Sequence, residues 1–111
     1  KKFTNVPFTG EVLEYWNNGQ LSEKGYYKNG KTDGLWEWYF KNGVLSGKYN
    51  FKDGKRDGLS ERYYKNGQLQ WKWNFKDGKR NGVFEYYNKG GSLIETVTWK
   101  NGKLIEEKTY E

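Results

Sequence analysis

Gly10, Gly34, Gly58 and Gly82 stand 24 residues apart and open four units of equal length, with no insertion between them. A fixed period constrains the fold more than any other feature, because each unit must be one supersecondary element that buries its apolar face against its neighbours. The units agree position by position. Tyr15, Tyr39, Tyr63 and Tyr87 follow the opening glycines, then Gly19, Gly43, Gly67 and Gly91, then Leu21, Leu45, Leu69 and Leu93. Tyr27, Phe51, Phe75 and Trp99 hold a common aromatic position, and each unit closes on Lys-Asn/Asp-Gly-Lys.

Asn-Gly and Asp-Gly are the strongest short hairpin signals, since both residues tolerate the backbone that a tight reversal needs. Two reversals fall in each unit, separated by segments such as 35–40 and 45–51, close to the usual strand length. Each unit therefore reads as one hairpin. The chain is expected to be a single all-β domain, an elongated ribbon-like antiparallel sheet of successive β-hairpins with about 8–10 strands. Its divisions are a half-unit at 1–9 with Phe3 at the repeated aromatic position, units 10–33, 34–57, 58–81 and 82–105, and a terminal half-unit at 106–111. Glu106, Glu107 and Lys108 suit an exposed edge.

Alternation divides the faces. Leu45, Gly47, Tyr49 and Phe51 point one way, against Ser46, Lys48 and Asn50; Leu69, Trp71, Trp73 and Phe75 repeat the pattern. The first strand carries rings on both sides: Trp36, Trp38 and Phe40 on one, Leu35 and Tyr39 on the other. Either curvature packs these rings against neighbouring hairpins, or one row stays exposed as a binding platform. The rings are the core material in any case. Leu, Ile, Val and Phe total only 21 of 111 residues, while six Trp and ten Tyr supply the missing apolar area.

The chain has no Cys and no His, which removes disulfides, imidazole and thiolate metal sites and the nucleophile–base pairs that depend on them. Carboxylates remain. Glu37, Glu61 and Glu85 occupy one position in three units, about 10 Å apart by strand spacing, at or beyond the upper edge for an inverting glycosidase pair and well past the retaining distance. They are better suited to cross-strand pairing with Lys or Arg. Asp33, Asp53, Asp57 and Asp77 lie near turns without calcium-loop spacing. The expectation is a non-catalytic chain with no cofactor and no metal.

The net charge of +6 gains meaning from position. Lys28, Lys31, Lys52, Lys55, Lys76, Lys79, Lys100 and Lys103 should form one basic ridge along the ribbon, joined by Arg56 and Arg80. Solvated turn lysines that discourage sheet aggregation explain it. Loose, salt-sensitive binding to anionic lipid or polysaccharide is the functional reading. Nucleic acid is not expected as a partner, and no apolar run is long enough to span a membrane. The sequence does not begin with Met, so a signal or lipoprotein leader would place the protein in the periplasm or at the surface, and otherwise the cytoplasm is expected.

The pattern G-x-W-x-x-Y-x-x-N-G-x-L followed by F-K-D-G-K-x-D-G, as it stands from Gly34 to Gly58, resembles the bacterial variant of the MORN repeat over about residues 10–105. The first unit departs at Gly25, where others carry an aromatic residue or Val. The fourth departs at Asn88, Gly90 and Leu104-Ile105. The resemblance implies a ribbon of hairpins that serves as a scaffold for protein partners, touches phospholipid headgroups in some proposals, is often labelled antitoxin-like, and brings no catalytic residues. A fainter similarity to choline- and glucan-binding repeats would place sugar stacking on Trp71, Trp73 or Trp99. The leading expectation is an unidentified protein partner held by Trp36, Trp38 and Phe40 with Trp16 and Tyr64 flanking; exposed ribbon ends make an edge-to-edge homodimer a further candidate.

Overall fold

A computed structural model describes residues 8–110; Phe3 and the rest of 1–7, and Glu111, lie outside the described residues. The described chain is all β, with eleven strands: β1 (Gly10–Tyr15), β2 (Leu21–Lys28), β3 (Lys31–Thr32), β4 (Gly34–Tyr39), β5 (Leu45–Lys52), β6 (Lys55–Tyr63), β7 (Leu69–Lys76), β8 (Lys79–Arg80), β9 (Gly82–Tyr87), β10 (Leu93–Lys100) and β11 (Lys103–Thr109). They form one open antiparallel sheet in the order β1-β2-β4-β5-β6-β7-β9-β10-β11, with β3 and β8 pairing β2 and β7 as the leading ends of β4 and β9. Every neighbour in the path follows in sequence, as a meander of hairpins requires.

Two kinds of turn alternate along the ribbon. At one end Asn29-Gly30, Asp53-Gly54, Asp77-Gly78 and Asn101-Gly102 all have positive φ, which is the two-residue turn whose twist matches that of the flanking strands. These turns are tied together across units. Gly54, Gly78 and Gly102 donate their N–H to the carbonyls of Thr32, Arg56 and Arg80 at 2.8–2.9 Å, while Asp57 Oδ1 accepts from Asp77 N and Asn81 Oδ1 from Asn101 N. At the other end the loops span five residues, with Phe40 N donating to Val44 O and Gly43 N to Phe40 O. Asn18, Asn42 and Asn66 accept the N–H two residues on, and in the fourth unit Asn88 takes over that task from the missing Asn at position 90.

Between units the register slips. Phe51 faces Arg56 but Tyr49 faces Ser60, so three residues oppose Asn50, and its Nδ2 donates to Leu59 O at 2.9 Å to bridge the bulge. The same two-residue excess recurs between β2 and β4 and between β7 and β9. The last hairpin differs. Trp99 faces Leu104 and Thr98 faces Glu106, a one-residue slip, as the replacement of the Arg-Asp-Gly segment by Leu104-Ile105-Glu106 would suggest. Bulges of this kind bend a strand and steepen its twist.

The inward face is organised by one row of residues running across the strands. Val12 faces Gly25, the Trp36 ring lies over Gly25, and Trp36 faces Tyr49; Tyr49 faces Ser60, Ser60 faces Trp73, Trp73 stacks on Phe84 at 5.3 Å, and Phe84 faces Val97. Trp36 and Phe84 are 2% and 1% exposed and Ser60 is fully enclosed. Large and small alternate where two rings would otherwise collide: Gly25 yields to Trp36, and Ser60 sits between Tyr49 and Trp73. The Ser60 hydroxyl has no hydrogen-bond partner among the described residues, so small volume rather than polarity is what that position supplies.

The outward face carries a second row, of charge. Lys24 faces Glu37, Glu37 faces Lys48, Lys48 faces Glu61, Glu61 faces Lys72 and Lys72 faces Glu85. Opposite charges directly across strands contribute roughly 0.2–1 kcal/mol each, and Lys48 Nζ approaches Glu61 Oε1 to 3.6 Å. Each Glu also accepts a hydrogen bond from the Tyr two residues on, Tyr39, Tyr63 and Tyr87, at 2.8–3.1 Å. Burial first, then that bond to Glu61, pushes the Tyr63 phenol up to about 12.

A Cβ at Gly25 would lie 2.0 Å from the Trp36 indole. Gly25→Ala is therefore expected to cost about 1–3 kcal/mol through overpacking, read as a lower urea midpoint with an unchanged slope. Combining Gly25→Tyr with Trp36→Ser copies the Tyr49–Ser60 pairing of the next unit and should recover most of the loss; a double variant no more stable than the single one would show that the pairing is not transferable.

Candidate functional site

Parallel to the buried row, on the same inward face, runs a half-exposed one. Glu14 faces Glu23, Glu23 faces Trp38, Trp38 faces Gly47, Gly47 faces Arg62, Arg62 faces Trp71, Trp71 faces Tyr86 and Tyr86 faces Glu95. Unlike the first row it has a gap. Gly47 brings no side chain of its own between Trp38 and Arg62; the Tyr49 ring leans over it and buries it, and beside that ring a groove of about 600 Å³ opens, walled by Trp38, Phe40, Tyr49 and Phe51 and edged by Glu23, Arg56 and Arg62. Phe40 and Arg62 also line a second hollow of about 350 Å³, which continues to Tyr64, Lys65 and Lys89. Trp16 connects the first groove to a third hollow beside Asn18 and Lys41.

Four of the five aromatic residues singled out from the sequence, Trp16, Trp38, Phe40 and Tyr64, meet in this chain of hollows. Trp36 does not. It is buried on the backbone of Gly25, with its indole N–H donating to Tyr26 O at 3.2 Å, so it belongs to the core and cannot serve as a surface anchor. Trp16 and Tyr64 also work structurally: Trp16 Nε1 donates to Tyr39 O at 3.0 Å and Tyr64 Oη to Tyr87 O at 2.7 Å, each tying its loop to the next unit. Their polar tips are engaged while their rings still face the hollows.

The remaining tryptophans are packed against other rings. Trp71 stacks on Trp73 at 3.7 Å, Trp73 stacks in turn on Phe84, and Tyr49 stands nearly perpendicular to both Trp38 and Trp71 at 5.0 and 6.0 Å. Trp38 is also stacked on Trp36 at 5.9 Å. The Arg80 guanidinium lies 4.8 Å from the Trp99 ring centre, and the Arg56 guanidinium lies 5.0 Å from Tyr49 and 5.2 Å from Phe75. These two arginines therefore turn to the aromatic face instead of joining the lysine ridge, because a weakly hydrated planar cation is stabilised over a ring.

The ridge itself is present. Lys28, Lys52, Lys76 and Lys100 face Lys31, Lys55, Lys79 and Lys103 across the two-residue turns, and all eight are exposed. Among the described residues the one ion pair is Lys48 with Glu61, away from the ridge. Among the described residues, too, no group of carboxylates is arranged to hold a metal ion, and no helix is long and apolar enough to cross a membrane.

Gly47, Arg62 and Glu23 were not singled out by sequence reasoning. The signal was available in the alignment of units, where Gly47 stands in the place that Trp71 occupies one unit later. Glu23 is the acidic end of the groove. Burial raises its carboxyl above the usual range, the facing Glu14 adds to that, and a hydrogen bond from Trp38 opposes it.

A search of curated proteins gave no match to the chain. The family model described as the MORN repeat variant matches four times, at residues 8–29, 32–53, 56–77 and 80–101, which is well over half of the sequence. Its frame starts two residues before each opening glycine and ends at the Asn/Asp of the two-residue turn.

Because the folded carboxyl of Glu23 titrates above the unfolded value of 4.5, the folded state holds a proton that the unfolded state has released just above that pH. Stability from this group is therefore present below 4.5 and lost as pH rises through the folded value. Glu23→Gln should be more stable than the wild type at pH 7 and should lack that decline, measured by urea denaturation across pH 4–7.

Proposed function

The chain belongs to the MORN repeat variant family, and on that premise we propose that it is a non-catalytic β-repeat scaffold whose inward groove binds a protein partner. The observation that carries this reading is the convergence of Trp16, Trp38, Phe40 and Tyr64 from three consecutive units on one connected set of hollows. Trp and Tyr are the side chains that most often carry interface energy, and a recessed ring surface edged by polar groups is the usual form of such an anchor site. Non-catalysis is supported by the lack of His and Cys and by the engagement of Glu37, Glu61 and Glu85 with tyrosines on the outward face. An antitoxin-like role is one form of the proposal, in which the bound partner would lose an activity of its own.

A random peptide library selected on the immobilised protein is expected to yield binders that lose at least about tenfold in affinity with Phe40→Ala or Trp38→Leu, the loss of one anchor residue. Combined Lys28→Gln, Lys52→Gln and Lys76→Gln should leave them unchanged. Binders indifferent to both groove substitutions would sink the assignment.

A second reading has its own observation, the eight exposed turn lysines facing one another in like-charged pairs. We propose weak association of this ridge with anionic lipid. Co-sedimentation with phosphatidylserine vesicles should fall steeply as salt rises and should vanish with the triple Lys→Gln variant; salt-insensitive binding would exclude it.

A further inference from the structure

The gap at Gly47 is the one place in the half-exposed row where a unit omits a side chain. Its equivalents are Glu23, Trp71 and Glu95. Gly47 is not among the glycines with positive φ, so backbone conformation does not require glycine there. Packing explains part of the choice, since a Cβ would come within 2.9 Å of the Tyr49 ring. Gly47 itself is buried beneath that ring, and the groove it helps to line stays open beside it, between Trp38, Phe40 and Arg62.

The walls and the rim of this gap ask for different chemistry. Trp38, Tyr49 and Phe40 offer apolar ring surface of the kind that holds a large apolar side chain. The rim of the two joined hollows carries Arg56, Arg62, Lys65 and Lys89 against the single carboxylate of Glu23. Arg62 is exposed, and among the described residues no carboxylate lies within ion-pair distance of it. A guanidinium in that state is matched by carboxylate, which it binds through two parallel hydrogen bonds. Base or sugar stacking is the weaker match, since it needs a free ring face, and Trp38 and Trp71 are each packed against two other rings.

Building on the protein-partner reading, we propose that the Gly47 gap is a receptor for one large apolar side chain of an acidic peptide segment, whose flanking carboxylates pair with Arg62 and the adjoining lysines. The apolar residue supplies the anchor and fixes register. The carboxylates supply charge complementarity and steer the encounter.

The test uses the full chain and three fluorescein-labelled synthetic decapeptides: Glu/Ser with one central Phe, the same with Ala for Phe, and the same with Lys for each Glu. By fluorescence anisotropy at low salt, the Glu–Phe peptide should bind, and either replacement should weaken binding by at least about tenfold. Gly47→Leu, which forces the Tyr49 ring into the groove, should lose the Glu–Phe peptide to the same extent while melting cooperatively. Arg62→Glu should lose the Glu–Phe peptide and gain the Lys–Phe one. Equal binding of the Phe and Ala peptides, no binding of the Glu–Phe peptide, or full affinity in a folded Gly47→Leu protein overturns the proposal. If Gly47→Leu does not fold, the Arg62 charge exchange decides alone, and no gain for the Lys–Phe peptide overturns it. Self-association in sedimentation that disappears with Gly47→Leu would assign the gap to a second copy of the chain and likewise overturn it. The two readings fail separately: library binders that need Phe40 and Trp38 but tolerate Gly47→Leu and Arg62→Glu would leave the groove standing and remove the gap.

Discussion

The structure depends on volume matching along a single row. A one-layer ribbon has no second sheet to close its core, so its apolar face must be sealed by the side chains of that face lying on one another. Tyr and Trp are long enough to do this, and two large rings do stand side by side at Trp36–Tyr49 and Trp73–Phe84, but an unbroken run of them across strands about 4.8 Å apart would overfill the space. Gly25 beside Trp36 and Ser60 between Tyr49 and Trp73 resolve the conflict. Toward the C-terminal end the row changes character: Trp73, Phe84 and Val97 follow one another without a small residue, and with Phe75 and Trp99 they form a continuous hydrophobic cluster. The outward face needs no such matching, because alternating Lys and Glu across strands are satisfied in water and reject a one-strand slip that would set like charges opposite.

The repeat is held in register by different means at its two ends. On the lysine edge the connection is backbone to backbone, turn glycine to the strand of the preceding unit, with an Asp or Asn side chain adding a second bond at the Asp77 and Asn101 turns. At the opposite end it is made by side chains reaching one unit ahead: Asn18 to Lys41 O, Asn66 to Lys89 O, Trp16 to Tyr39 O and Tyr64 to Tyr87 O. The first edge is therefore uniform from unit to unit. The second changes with the residue at each position, Trp16, Phe40, Tyr64 and Asn88, which is why the hollows lie there and differ from one another.

Turns, strand positions and face assignment were legible in the sequence because they are local: an Asn-Gly pair and a two-residue alternation say what they do without knowledge of the rest of the chain. The span 34–39 for β4 and 45–52 for β5 fall where the turn signals put them. What could not be read was pairing between units. Nothing local to Gly25 announces that the indole of Trp36 will lie on it, since a two-residue bulge decides that 25 and 36 become neighbours. The same bulge brings Arg56 over Tyr49 and Phe75, so that a residue counted with the lysine ridge in sequence belongs to the aromatic face in space. The identity of the groove residues was half legible: rings such as Phe40 and Tyr64 stand out by type, whereas Gly47 matters by what is missing and acquires meaning only once Trp38 and Arg62 are known to flank it.

A perfectly regular repeat would present the same surface at every step and could distinguish partners only by charge density. Departures from the pattern are what give one place on the ribbon a shape of its own. Gly25 is absorbed by packing, Asn88 by a loop that reproduces the lost hydrogen bonds, and Leu104-Ile105 by a smaller bulge. The departure at Gly47 is only partly absorbed, by the lean of Tyr49, and leaves ring surface and a guanidinium with no ion-pair partner among the described residues around the groove beside it. Keeping ring surface exposed costs free energy in a chain with so small a core. In a fold where the other irregularities have been filled or bonded, that cost is the physical reason for looking to the groove for function.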